Sequence, residues 1–193
     1  RGIDALPHSD SVYLVLVSDH GMRDYLDAPP FILEEHAPLE GLSLVDHGSV
    51  VMAWQETRDP ESAEALADVV NARWRHGRAW TRDSAPASWR LRDNPRQPDL
   101  VFQAEPGYEV LSRAERAGRR KPGDHGWAPS DPAMHGLLII AGPGITPGTR
   151  LGAVSNLDLQ PLLLSLLELE PPDLEDGPVD GDPRSLRRAL GLP

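Results

Sequence analysis

Apolar residues run without a break through Val12-Tyr13-Leu14-Val15-Leu16-Val17. A continuous run of this length predicts a strand covered on both faces. Leu137-Leu138-Ile139-Ile140-Ala141 repeats the pattern and predicts a second strand of the same main sheet. Gly48 to Trp54, rich in valine, predicts another. Helical spacing replaces this pattern over Glu61 to Arg75, where Ala63, Leu66, Ala67, Val70 and Trp74 recur on one face. Asp59 is placed to cap that helix, Pro60 suits its first position and Gly77 its end. Trp89-Arg90-Leu91 and Asp99 to Ala104 predict short strands, and Gly107 to Val110 follows a turn. Asn156 or Asp158 opens a helix that runs towards Leu169, with Leu162, Leu163, Leu166 and Leu167 as its apolar face. Pro161 is tolerated in its first turn, and Pro171-Pro172 stops it. A last short helix spans Arg184 to Leu190.

The order of elements divides the chain. Strand, helix and further strands over residues 30–112 do not continue a simple parallel α/β pattern, and Asp27-Ala28-Pro29-Pro30 marks the break. The expectation is an α/β core in two segments, 1–29 and 113–193, with an α+β cap inserted at 30–112.

Chemistry concentrates where the first strand ends. Ser18-Asp19-His20-Gly21-Met22 delivers a carboxylate and an imidazole to the carboxyl end of a strand, where open α/β sheets bind their ligands. Asp and His together suit Zn²⁺ or a similar divalent ion. Gly21 lets the chain turn away sharply. A lone Asp-His pair would read more simply as a helix cap beside a surface histidine. A second element changes that reading: Gly123-Asp124-His125-Gly126-Trp127, then Met134-His135-Gly136 and the strand ending Ala141-Gly142-Pro143-Gly144-Ile145.

Strand, Ser-Asp-His-Gly-Met, long insertion, glycine-flanked histidine and second strand together resemble the type I phosphodiesterase/nucleotide pyrophosphatase family of the alkaline phosphatase superfamily. Asn156-Leu157-Asp158 and Asp180-Gly181 also fit its pattern. The resemblance implies part of an alkaline-phosphatase-like parallel-sheet core, with the cap between the two motifs. It implies two divalent metal ions, zinc by expectation, that clamp the oxygens of a displacement at phosphorus. Asp19 and His20 would bind the metal nearest the nucleophile, and His125 the other.

Family members carry a Thr or Ser nucleophile, one more Asp and an Asp-x-x-x-His motif ahead of the first motif. None of Asp4, His8 or Asp10 has the required spacing. The chain is therefore expected to be a carboxyl-terminal portion that holds no catalytic nucleophile and half of the metal ligands, inactive alone. An uncovered apolar sheet face would then lead either to a homodimer or to a rearranged strand order. A sulfatase, phosphonate hydrolase or phosphomutase, or a noncatalytic domain of the same fold, are the alternatives.

One further tripeptide and three single residues invite a role. Asp46-His47-Gly48 repeats the motif text but precedes a cap strand, where the family has no ligand. Asp124 is either a partner of His125 or a loop residue. His135 lines the substrate site or is structural, and Trp127 is a packing residue or part of the rim.

Composition narrows the partners. A net charge of −11 argues against nonspecific binding to a nucleic-acid polymer. It leaves a small phosphodiester or nucleotide-like substrate open, since bound metals reverse the local field. Acidic residues cluster from Glu168 to Asp182 and basic ones from Arg113 to Lys121, both read as solvated surface. With no cysteine there is neither a disulfide framework nor a thiolate zinc site. No run reaches the roughly 18 apolar residues of a membrane span. Eighteen arginines to one lysine suggest a GC-rich bacterium, hence bacterial cytoplasm or periplasm.

Overall fold

The computed structural model describes residues 2–92, 94–113, 121–172 and 180–192. Much of the basic stretch and the middle of the acidic stretch lie outside these residues. The strands in chain order are β1 (Leu14–Val17), β2 (Arg23–Asp24), β3 (Phe31–Ile32), β4 (Leu42–Asp46), β5 (Val50–Gln55), β6 (Gly77–Thr81), β7 (Leu100–Ala104), β8 (Val110–Leu111), β9 (Gly123–Asp124) and β10 (Leu138–Ala141). The α-helices are α1 (Pro60–Asn71), α2 (Leu159–Leu166) and α3 (Arg184–Ala189). Two compact units result: Asp19–Gly136, and the flanking segments Arg1–Ser18 with Leu137–Pro193.

The inner unit is built on a four-stranded antiparallel sheet in the order β4-β5-β7-β6. Alternation sends Val51, Ala53, Leu100, Phe102 and Ala79 to one face, where they form a core with Ala63, Ala67 and Val70 of α1. Asp59 caps α1 as its sequence position predicts, accepting from the backbone N–H of Glu61 at 3.2 Å and Ser62 at 3.3 Å. The helix stops at Asn71, short of the predicted Arg75. The Asn71 amide instead brackets Ala79 of β6, donating to its carbonyl at 3.0 Å and accepting from its N–H at 2.8 Å. Gly77 opens β6, and the Trp74 indole occupies the place a Cβ would take.

The opposite sheet face packs Val101 and Met52 with Ala85, Trp80, Trp89 and Leu91. Trp89-Arg90-Leu91 is not the strand its apolar ends predict. Ala87–Trp89 is a 3-10 turn, and Arg90 takes the left-handed conformation at φ 53°. Leu91 is buried by this loop packing and needs no ladder partner. Strands β4 and β6 were not expected from the sequence. Phe31 and Ile32 pair with Val110 and Leu111 in the one parallel ladder among the described residues.

In the flanking unit β1 pairs with β10, Leu14 opposite Ala141 through Val17 opposite Leu138. The predicted strands are there, and the α/β class holds. Their direction is antiparallel, where the apolar runs suggested parallel neighbours. A long connection permits either direction. The Ser18 hydroxyl secures this one, accepting from the Leu137 N–H at 2.8 Å while the Ser18 N–H donates to the Leu137 carbonyl at 3.0 Å. A separate small core joins Leu162 of α2 to Leu186 and Leu190, with Ile140 and Ile145 against it.

Pro161 sits in the first turn of α2, which ends at Leu166. Asp158 sits at the N-cap position of α2 but makes no side-chain capping bond there: its carboxylate accepts from the Asp182 N–H at 2.8 Å. Ser155 caps the preceding 3-10 turn. Arg184 in turn holds the Asp182 carboxyl down to about 2. No helix among the described residues is long and apolar enough to cross a membrane.

Candidate metal centre

The two histidine motifs meet inside the inner unit because a short antiparallel ladder joins them. Arg23 and Asp24 of β2, just past the first motif, pair with Asp124 and Gly123 of β9 in the second. Two further ties hold the same loops. The Arg23 guanidinium grips Asp131 by donating from Nε at 2.7 Å and from one terminal nitrogen, Nη2, at 2.9 Å. Asp131 is buried, and this paired donation holds its carboxyl below the ordinary range. The Gly21 N–H donates to the Met134 carbonyl at 3.0 Å. A side chain at residue 21 would collide with the Ala133 and His135 carbonyls, so glycine is a packing requirement here and not only a turn residue.

These ties bring His20 and His125 face to face. Their rings stack with centroids 3.7 Å apart and planes 15° from parallel. The His20 Nδ1 meets the Gly21 carbonyl at 2.7 Å, leaving Nε2 as the nitrogen with a lone pair to offer. That Nε2 lies 3.4 Å from Asp19 Oδ2. The Asp19 carboxylate is 85% exposed and the His20 ring 34% exposed. The Gly21 carbonyl is the acceptor that the sequence could not name. Backbone groups carry no residue-specific signal, so no motif would have revealed it.

No cluster of three or more His, Asp or Glu that could hold an ion is assembled among the described residues. Carboxylate and imidazole are the donor types that borderline divalent metals such as zinc take.

Asp124 is buried, not a loop residue. It accepts from Tyr25 Oη at 3.3 Å, from Lys121 Nζ at 3.3 Å and from the His125 N–H at 3.0 Å. Burial, then the charges of Asp124 and Glu109, push the Tyr25 phenol well above its ordinary value, which keeps it a neutral donor. Trp127 is a packing residue, buried edge-on against Tyr25 with its indole N–H on the Tyr108 carbonyl at 3.1 Å. His135 is exposed.

Asp46-His47-Gly48 forms the β4–β5 turn. The Asp46 carboxylate is committed to the N–H of Gly48 at 3.0 Å and to Ser112 at 2.7 Å and 2.9 Å, and His47 is exposed.

Residues 1–128 match the family model described as type I phosphodiesterase / nucleotide pyrophosphatase. The chain is 24% identical over 162 residues to the mouse (Mus musculus) protein bis(5'-adenosyl)-triphosphatase enpp4, covering 84% of this chain and 34% of the relative. Among solved structures it resembles murine ectonucleotide pyrophosphatase / phosphodiesterase 5, with TM-score 0.78 and 22% identity over 94% of this chain and 46% of that one. An inactive form of that murine protein in complex with AMP matches with TM-score 0.76 and 23% identity, over 93% of this chain and 45% of that one. These likenesses show a shared fold. The chain spans about a third of the length of the curated relatives it matches. Those relatives come from mouse, frog and human, which overturns the bacterial source and bacterial compartment drawn from the arginine excess. Arginine usage reports codon composition, and many lineages share it.

Proposed function

Because this chain belongs to the type I phosphodiesterase / nucleotide pyrophosphatase family, we propose that in the intact protein Asp19, His20 and His125 supply half of a two-metal centre. That centre hydrolyses phosphodiester or pyrophosphate bonds of nucleotide-like substrates. The observation that carries the reading is the stacking of His20 on His125 at 3.7 Å beside Asp19. Two motifs distant in sequence present metal-ligating groups at one place.

Divalent ions held there by Asp19, His20 and His125 would supply Lewis-acid charge stabilisation to a displacement at phosphorus. The residues of this chain prepare for it. Asp19 offers an exposed carboxylate to the first ion. His20 offers Nε2 to the same ion, its tautomer fixed by the Gly21 carbonyl. His125 offers its ring to the second. The Arg23–Asp131 pair and the β2–β9 ladder hold the two loops in register before an ion arrives, which lowers the ordering cost of binding. The Thr or Ser nucleophile and the remaining ligands belong to a segment ahead of Ser18, as the family pattern has it. Residues 30–112 serve as a cap against which the leaving group rests. The name of the mouse relative and the AMP held by the murine structure favour a nucleotide-like substrate.

Hydrolysis of bis-p-nitrophenyl phosphate with added Zn²⁺ tests the reading, on this chain and on the chain extended ahead of Arg1. Turnover is expected in the extended form alone, falling by at least about a hundredfold in kcat/KM in His20→Ala and His125→Ala. Absence of turnover in both forms, or full activity in both variants, would reject it.

A further inference from the structure

The turn that imitates the metal motifs leads to an unassigned residue. Ser49 directly follows Asp46-His47-Gly48 and is completely buried. Its hydroxyl donates to the carbonyl of His125 at 2.5 Å. Gln103 of β7 adds a second hold on the same loop, its Nε2 lying 3.3 Å from the Gly126 carbonyl and 3.0 Å from that of Ser49. The Ser49 carbonyl also accepts from the Ala104 N–H at 3.0 Å, which fixes the serine to the sheet. Gly126 adopts φ 99°, and a Cβ there would stand 2.6 Å from Ser49 Oγ. Both consecutive carbonyls of His125-Gly126 are therefore held from one side by the four-stranded sheet, and the loop is pressed against it without an intervening side chain.

We propose that Ser49 is a positioning residue for the metal ligand His125. The hydroxyl fixes the peptide from which the imidazole projects, and so sets the His125 ring against His20. This rests on the reading of His125 as a ligand. A buried serine near a ligand histidine could otherwise suggest a nucleophile. Complete burial and a hydrogen bond to a backbone carbonyl deny it access to a phosphorus centre. The consequence is a mechanical link: the sheet proposed as the cap also anchors one half of the metal site.

The test uses the intact protein with ring-labelled histidine, Ser49→Ala and Ser49→Cys. Two quantities are read: the histidine ring resonances without metal, and Zn²⁺ affinity by chelator competition. In Ser49→Ala the His125 and His20 resonances are expected to move while those of His8 and His135 stay. Zinc affinity should fall about tenfold. Ser49→Cys, which retains a weak donor of similar size, should fall between. Should Ser49→Ala not fold, Ser49→Cys and Gln103→Met give the same two readings. Unchanged resonances and affinity in a folded variant would overturn the proposal. If the unmodified protein binds no zinc while Ser49→Ala still shifts the His125 resonance, the metal reading fails and the positioning stands.

Discussion

Strands β5 and β7 and strands β1 and β10 are alike in being largely apolar, but their environments differ. Val51, Ala53, Leu100 and Phe102 are entirely shielded beneath α1. Leu14 is 49% exposed, Leu16 54%, Val17 50% and Ile139 49%. Hydrophobicity states that a strand is fit for burial, while the covering is set by what packs on it. The candidate metal centre belongs with the shielded region: its loops are moored to the four-stranded sheet through Ser49 and Gln103 and to each other through β2 and β9.

The largest expected effect would sharpen this contrast directly. Phe102→Ala should destabilise by about 3–5 kcal/mol in urea unfolding, because it empties a closed core. Leu16→Ala should cost less than about 0.5 kcal/mol if the β1 face meets water. A cost near that of Phe102→Ala would show that something covers the face.

Next comes Gly21→Ala. Its methyl meets two backbone carbonyls that cannot rotate aside. A loss of about 1–3 kcal/mol is expected, with zinc affinity reduced by about tenfold or more as the histidine loops part. Unchanged affinity would separate the loop packing from the ligand geometry.

Arg23 and Asp131 predict a pH dependence. The Asp131 carboxyl lies below its ordinary range in the folded protein because Arg23 donates two hydrogen bonds to it. The unfolded chain takes up its proton first, near pH 4. The stabilisation is therefore present above about pH 4 and is lost as pH falls through the lower folded value. Asp131→Asn should flatten the acid limb of a stability–pH profile, and Arg23→Leu should do likewise. An acid limb unchanged in both variants would remove the pair from the account.

The smallest effect is set for the imitation motif. His47→Ala should alter zinc affinity by less than about twofold, as expected of an exposed side chain. A larger loss would return Asp46-His47-Gly48 to the list of ligands.

The sequence was informative where one residue type dictates one local geometry. Asp59-Pro60 announced the start of α1, and the two apolar runs announced β1 and β10. The family resemblance singled out Asp19, His20 and His125, and the fold brings the two histidines together. Its silence is equally physical. The end of α1 depends on Asn71 reaching across to Ala79, a tertiary contact with no local signature. Arg90 in a left-handed turn defeated a strand reading based on Trp89 and Leu91. The direction of β1 against β10 depends on a partner far along the chain. Ser49, Arg23 and Asp131 look like ordinary polar residues until the loops are folded together.

Anomalous diffraction at the zinc absorption edge, from crystals of the intact protein grown with Zn²⁺, tests the central claim most directly. The account predicts two peaks, one within about 2.0–2.2 Å of both an Asp19 oxygen and His20 Nε2, the other at a similar distance from a His125 ring nitrogen. Zinc bound elsewhere, with these three side chains free of metal, would contradict it.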